Sequence, residues 1–159
     1  MDVHEITTKV AASYGDLEFL KYAHENGCKW DEGTILTAVM IGNLEILKYA
    51  HKNGCQRDSG ILTVVIKGGT LEILKYLLEN GCPCDENTTQ AAASYGNLEI
   101  LKYAFENDCK RYEVKIVTAA MNGNFEILKY AHENGCPWDY DTIRVSAAYN
   151  MDIIGLKVR

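Results

Sequence analysis

The chain has 159 residues, of which 47% are hydrophobic and 24% charged, a composition typical of a folded globular protein rather than a disordered one. Its 22 acidic residues outnumber its 16 lysines and arginines, and the net charge of -6 argues against a nucleic-acid partner. No stretch is long and apolar enough to span a bilayer, and the start, MDVHEITTKV, lacks the features of a signal peptide, so no membrane contact is expected.

A stretch that reads GNLEILKYAHKNGC at residues 42–55 recurs along the chain with small changes. Its copies begin 27 residues apart, at Gly15, Gly42, Gly69, Gly96 and Gly123. A constant spacing of this kind indicates stacked structural repeats. We therefore predict a single domain, 1–159, with repeats at about 5–31, 32–58, 59–85, 86–112 and 113–139 and a partial or capping repeat at 140–159.

Each repeat is predicted to contain two helices joined by short turns. In the second repeat Asp31 stands where a side chain can cap the first helix, and Gly42 can end that helix in the left-handed conformation. Asn43 can cap the second helix, which is expected to end at Gly54. The apolar arc of the second helix is too wide for one neighbour to cover, so identical copies on both sides are expected to bury it.

Two columns of the second helix carry side chains that could suggest chemistry. His24, His51 and His132 share one position, but Leu78 and Phe105 occupy it in the other repeats. We therefore predict buried histidines with a hydrogen-bonded ring nitrogen rather than metal ligands. The other column contains a tyrosine in every repeat, which favours packing between repeats with a solvent-exposed hydroxyl over a ligand site: Tyr22, Tyr49, Tyr76, Tyr103 and Tyr130.

The loop that follows the second helix contains a cysteine in all five copies. Equivalent positions of stacked repeats lie about 10 Å apart, one helix diameter, whereas a disulfide needs Cα atoms within about 7 Å. Cys82 and Cys84 stand out as CPC, which is too short for a zinc site. We therefore predict half-buried free thiols without disulfides or zinc, in an intracellular, reducing and most simply cytoplasmic location.

Three segments, AASYGDLEFLKYAHENG, AAASYGNLEILKYAFEND and AAMNGNFEILKYAHENG, resemble the ankyrin repeat. The resemblance lies in the A-A-x-x-G turn, the G-x-L-E start of the second helix and the N-G end, and it covers about residues 5–149. Ankyrin repeats usually have about 33 residues; the six missing here fall where the family has its β-hairpin, and the T-P-L-H signature is also absent. The resemblance implies an all-α solenoid of stacked helix-turn-helix repeats lacking the usual β-hairpin. The NGCPWD loop resembles compact repeats of giant viruses and amoebae.

The resemblance also implies a scaffold that binds a protein or peptide on its concave helix face. Repeated positions serve packing, so the positions that vary between repeats on the first helices are the candidates for contact. They are Lys9, Leu36, Gln90 and Arg144; Met40, Lys67 and Met121; and Tyr14, Ile41, Tyr95, Asn122 and Tyr149. Neutral surface positions free to drift are the alternative for these columns. The alternative for the whole protein is a structural component of a larger assembly.

No motif for catalysis is present in the sequence. It contains no glycine-rich phosphate loop, no nucleophile elbow and no H-E-x-x-H helix. The glutamates that repeat at the start of each second helix lie where they favour the helix dipole. We therefore expect a protein that is not an enzyme and that needs no cofactor or metal.

Overall fold

The structure, a computed structural model, describes residues 7–31, 33–57, 60–68, 70–84, 86–107, 109, 116–136 and 139–148. These residues contain helices and turns but no β-strand, as predicted. The helices are α1 (Thr8–Ser13), α2 (Leu17–Glu25), α3 (Thr34–Met40), α4 (Leu44–Lys52), α5 (Ile61–Gly68), α6 (Leu71–Glu79), α7 (Glu86–Tyr95), α8 (Leu98–Glu106), α9 (Val117–Met121), α10 (Phe125–Glu133) and α11 (Tyr140–Ala148). The segment 149–159, where a closing cap was predicted, lies outside the described residues.

The chain forms two compact units, Met1–Tyr76 and Leu77–Arg159, and the boundary between them falls within α6. In the first unit α1, α3 and α5 pack side by side, and α1 and α3 each pack on the second helix of their own repeat. In the second unit α7, α9 and α11 form the corresponding row, with α8 and α10 behind it. Each unit is therefore a stack of helix pairs, the arrangement that the 27-residue period predicts.

The turn between the two helices of a repeat is formed by the predicted residues. Gly42 has a φ of 73°, the left-handed conformation that ends α3. The Asn43 side chain then accepts a hydrogen bond from the backbone N–H of Ile46, 3.0 Å away, and so caps α4. Asp16 caps α2 and Asn97 caps α8 in the same way. Local sequence thus fixes where these second helices begin.

The core of each unit consists of the apolar columns that repeat most faithfully. The leucine in the second turn of every second helix is fully buried: Leu20, Leu47, Leu74, Leu101 and Leu128. The alanines of the first helices, such as Ala11, Ala38 and Ala119, are also fully buried, and their small size lets neighbouring helices approach closely. The apolar columns that repeat are therefore packing positions.

Asp31 does not cap the helix of its own repeat, and that prediction is wrong. The residue before α3 is Gly33, with a φ of 83° and no side-chain capping bond. The Asp31 carboxylate instead accepts from the backbone N–H of Lys9 at 3.0 Å and from the Thr8 hydroxyl at 3.2 Å, both in the first turn of α1. Two residues separate Asp31 from α3, so its carboxylate reaches the helix of the preceding repeat. Asp139 directly precedes α11 and caps it, accepting a hydrogen bond from the backbone N–H of Thr142.

Replacing Asp31 by alanine is expected to lower the free energy of unfolding by about 1 kcal/mol at neutral pH, as for loss of a helix cap. Partial burial acts to raise the pKa of the Asp31 carboxyl, but the hydrogen bonds from α1, that of Lys9 N–H first among them, outweigh it and hold the pKa below its ordinary value of 3.8. A lowered pKa in the folded state gives stabilisation above the unfolded value that is lost as pH falls through the folded one. Urea unfolding of wild type and variant should therefore differ at pH 7 and converge in acid.

Asp141 provides a matched control for this measurement. Its carboxylate is exposed and pairs with Arg144 at 3.4 Å. Exposed ion pairs contribute about 0–1 kcal/mol, so Asp141→Ala should change stability little. A loss at Asp141 as large as that at Asp31, or a loss at Asp31 that persists in acid, would contradict the cross-repeat cap.

The cysteines depart from the prediction. Cys84 and Cys109 form a disulfide, with Cα atoms 5.3 Å apart. The expected distance of about 10 Å applies to cysteines at equivalent positions, 27 residues apart. Cys84 lies outside the column of repeated cysteines and only 25 residues before Cys109. Cys28, Cys55, Cys82 and Cys136 are thiols, and Cys55 and Cys136 are buried rather than half-buried. The disulfide removes the main support for a reducing compartment, which stays a prediction.

Candidate functional site

Large apolar side chains are exposed on the first helices of the first unit, at positions that vary between repeats. Met40 is 71% exposed, Tyr14 67% and Ile41 45%. The Cδ1 atom of Ile41 lies over the preceding turn, 3.7 Å from the point where a Cβ on Gly15 would be. The ring of Tyr14 packs edge-on against Phe19, with centroids 5.7 Å apart. We call Tyr14, Met40 and Ile41 the unit 1 patch.

The unit 1 patch is held in place by a hydrogen bond between neighbouring turns. The Asn43 side chain donates from Nδ2 to the carbonyl of Gly15 at 3.0 Å. The same side chain caps α4, so one residue fixes both the second helix and the spacing of the turns. The backbone turns that carry the patch are therefore held at a fixed spacing.

Polar candidates border the unit 1 patch. Lys9 and Lys67 are exposed on α1 and α5, whereas Leu36 on α3 is half-buried. The helices α1, α3 and α5 contain no aspartate or glutamate. In contrast, every second helix has a glutamate in its first turn. These three helices are therefore apolar and basic, although the whole chain is acidic.

In the second unit, Tyr95 is 51% and Met121 55% exposed. They lie on adjacent turns joined by a 2.7 Å hydrogen bond from the Asn122 side chain to the carbonyl of Ser94. Asn122 thus fixes the geometry of the turns. Gln90 is half-buried and donates from Nε2 to the Ser94 hydroxyl at 3.2 Å.

The remaining candidates lie at the end of the chain. Arg144 is exposed on α11 and forms its ion pair with Asp141. Tyr149 lies outside the described residues. The site residues predicted in the second unit are thus divided between exposed apolar side chains and polar groups that bond within the protein.

Three large apolar residues that are exposed in the described part of the chain were not among the candidates for contact. Tyr140, the first residue of α11, is 79% exposed, Tyr22 on α2 is 51% exposed, and Val10 on α1 is 44% exposed. The residues equivalent to Tyr140 at the 27-residue period are Glu32, Ser59, Glu86 and Glu113, all polar. That contrast was visible in the sequence. Val10 shares its column with small and β-branched residues and gives no comparable signal.

On the second helices, the tyrosine column packs against the histidine column of the preceding repeat. The His51 ring nitrogen Nδ1 lies 2.9 Å from the Tyr76 hydroxyl. His24 meets Tyr49 edge-on at 6.1 Å, and Phe105 meets Tyr130 at 5.8 Å. Burial raises the pKa of the hydroxyls of Tyr49, Tyr76 and Tyr103. These contacts confirm the predicted packing role for Tyr49, Tyr76 and Tyr130, although the Tyr76 hydroxyl bonds to His51. The histidines are half-buried rather than buried.

Neither a metal site nor a membrane span is found in the part of the chain that the structure describes. That part contains no group of three or more histidine, cysteine, aspartate or glutamate side chains that could hold a metal ion. The described helices are all too short or too polar to cross a bilayer.

Comparisons with known proteins agree with this architecture. The model of a family described as ankyrin repeats (3 copies) matches residues 9–89 and 35–117. No curated protein matches the sequence. Among solved structures, the crystal structure of the human ASB11 ankyrin repeat domain superposes with a TM-score of 0.72 over 94% of this chain and 86% of that one, at 16% sequence identity.

The structural likeness shows the helical solenoid fold, and the family match covers more than half of the sequence. Ankyrin repeats are in general protein–protein interaction modules rather than enzymes. The chain belongs to the ankyrin-repeat family.

Proposed function

We propose that this chain is a scaffold that binds a protein or peptide on the exposed side of its first helices. The observation that carries the proposal is the contrast between columns. Leu47, which repeats, is fully buried, whereas Met40, which does not, is 71% exposed. In the second unit, Leu101 is likewise fully buried and Tyr95 is 51% exposed. Packing explains the repeated apolar side chains, and it leaves the exposed variable ones for contact.

Exposed apolar side chains are common singly, but neighbouring ones form a patch that contact with a partner can remove from water. The unit 1 patch joins an aromatic, a flexible thioether and a branched aliphatic side chain on two adjacent turns. Aromatic residues are enriched among those that dominate binding energy, and methionine adapts to irregular surfaces. This composition favours a contact surface over neutral drift.

The charge around the unit 1 patch favours a partner with acidic groups beside apolar ones. Lys9 and Lys67 are exposed on this side, and α1, α3 and α5 supply no acidic side chain. Charges at the rim of an interface mainly change the association rate. We therefore expect binding that weakens moderately with salt while the apolar patch supplies most of the affinity.

The experiment compares two double variants of the full chain as bait in a quantitative pull-down with mass spectrometry. Met40→Ala with Ile41→Ala removes the exposed apolar side chains of α3 and its end. Loss of an interface anchor costs about 1–3 kcal/mol, so a specific partner should bind at least about tenfold more weakly. Circular dichroism should show unchanged helix content, because both side chains face solvent.

Glu45→Ala with Lys48→Ala is the matched control on the exposed side of α4. It should retain every partner that the wild type retains. Partners lost with this control but kept by the Met40 and Ile41 variant would place the working surface on the second helices. Recovery of copies of this chain alone would instead favour the structural-component interpretation.

A further inference from the structure

The loop before a first helix contacts the end of the second helix of the same repeat. In the second repeat Trp30 donates from its indole nitrogen to the carbonyl of Asn53 at 2.8 Å, so the pair α3–α4 is closed by a hydrogen bond. Trp30 also stacks on His24, with ring centroids 4.2 Å apart. Both contacts pack the Trp30 ring against the second helices on either side of the loop.

Cys84 occupies the position of Trp30 two repeats later. It precedes α7 by one residue, and its disulfide partner Cys109 lies just after α8. The covalent bond therefore brackets one helix pair, α7–α8, at the place where Trp30 brackets α3–α4 by a hydrogen bond. Unlike the tryptophan contact, this closure can be opened by chemistry and restored.

The two cysteines of the disulfide differ in exposure. Cys109 is 1% exposed, whereas Cys84 is half-buried. Thiol–disulfide exchange begins with attack of a thiolate on one sulfur, and access helps to decide which sulfur is attacked. An external thiolate therefore meets Cys84 before Cys109.

We propose that Cys84 is a thiol-exchange site through which a dithiol reductant opens the α7–α8 pair, and through which the disulfide form of that reductant closes it by the reverse exchange. One thiolate of the reductant bonds to the Cys84 sulfur, the Cys84–Cys109 bond breaks, and Cys109 leaves as a thiolate that takes up a proton. The second thiol of the reductant then displaces Cys84, so the protein gains two thiols and the reductant leaves as its own disulfide.

Opening the bond has its effect on the helix pair that it brackets. The α7 sequence, ENTTQAAASY, contains no leucine, isoleucine, valine or phenylalanine. Its packing against α8 and α9 thus relies on small side chains. A helix such as α7, with little apolar surface of its own, gains the most from a covalent closure. Reduction should therefore loosen α7–α8 while leaving α3–α4 in the first unit unchanged.

The first experiment identifies the sulfur that is attacked. The purified, air-oxidised full chain is incubated with reduced glutathione, and the adduct is located by peptide fragmentation in a mass spectrometer. Glutathione should be found on Cys84, with Cys109 as a thiol. An adduct found mainly on Cys109 or Cys82, or an oxidised protein without the Cys84–Cys109 bond, would overturn the assignment.

The second experiment measures what opening does, by amide hydrogen exchange with and without dithiothreitol. In the wild type, reduction should speed exchange in α7 and α8 by about tenfold or more, and leave α3 and α4 unchanged. Cys84→Ser should exchange at the reduced rate in both conditions, whereas Cys28→Ser should respond like the wild type. Equal exchange in oxidised and reduced wild type, or a dithiothreitol response in Cys84→Ser, would overturn the switch.

Discussion

Replacing Leu47 by alanine is expected to lower the free energy of unfolding by about 3–5 kcal/mol, the range for leucines in closely packed cores. Leu47 is fully buried on α4, between the first helices and the neighbouring second helix. The change removes apolar contacts and leaves a cavity. The surrounding helices cannot move far enough to fill this cavity, because neighbouring repeats hold them in place. Urea unfolding followed by circular dichroism measures the loss.

Met40→Ala is the matched control, because its side chain is 71% exposed on the same repeat. Substitutions at exposed positions away from special features usually change stability by less than about 0.5 kcal/mol. A loss at Met40 comparable to that at Leu47 would show that the variable columns serve packing. A negligible loss at Leu47 would contradict the stack of repeats itself.

Cys84→Ser is expected to lower the free energy of unfolding of the oxidised protein by about 2–4 kcal/mol. The disulfide closes a loop with a sequence separation of 25 residues. In the chain-entropy account, a cross-link over such a loop lowers the conformational entropy of the unfolded chain, which stabilises the folded state by about 3 kcal/mol. The measurement is the urea midpoint of wild type and variant without reductant.

Cys28→Ser controls for the general effect of replacing a thiol, because Cys28 shares the column of Cys109 but forms no disulfide. This variant should keep the dependence of stability on reductant that the wild type shows, and Cys84→Ser should lose it. If oxidised and reduced wild-type protein unfold at the same urea concentration, the disulfide does not stabilise the fold.

The helix boundaries could be predicted because their causes are local. Gly42 ends α3 and Asn43 caps α4, and both effects depend on residues within four positions in the chain. The stacking followed from the width of the apolar arc on the second helix. A short period with two helices leaves no residues for a hairpin, so the all-α class was also predictable.

The contacts that the sequence did not predict are those between positions outside one column. Cys84 and Cys109 are 25 residues apart, two fewer than the repeat length, and their Cα atoms lie 5.3 Å from each other. Cysteines at equivalent positions, a full repeat apart, are expected to lie further from each other. Asp31 likewise reaches Lys9 across the repeat boundary. Neither contact joins equivalent positions of two repeats, because both depend on the path of the loop between neighbouring helices.

The candidate site was predictable in part. Exposure of Met40, Tyr95 and Met121 followed from their variation between repeats, since a packing position tolerates little change. The internal hydrogen bond of Asn122 could not be inferred, because it depends on the distance between two turns. The sequence does not identify the partner, since apolar and basic side chains define a class of surface rather than one protein.

Site-specific photocrosslinking in cells tests most directly whether the first helices hold a partner. A photoreactive amino acid replaces Met40 on the proposed surface in one form of the chain, and Lys48 on the exposed side of α4 in another. The account predicts that the form carrying the probe at Met40 yields a discrete crosslink to another protein, and that the form carrying it at Lys48 does not. A discrete crosslink from position 48 with none from position 40 would contradict it.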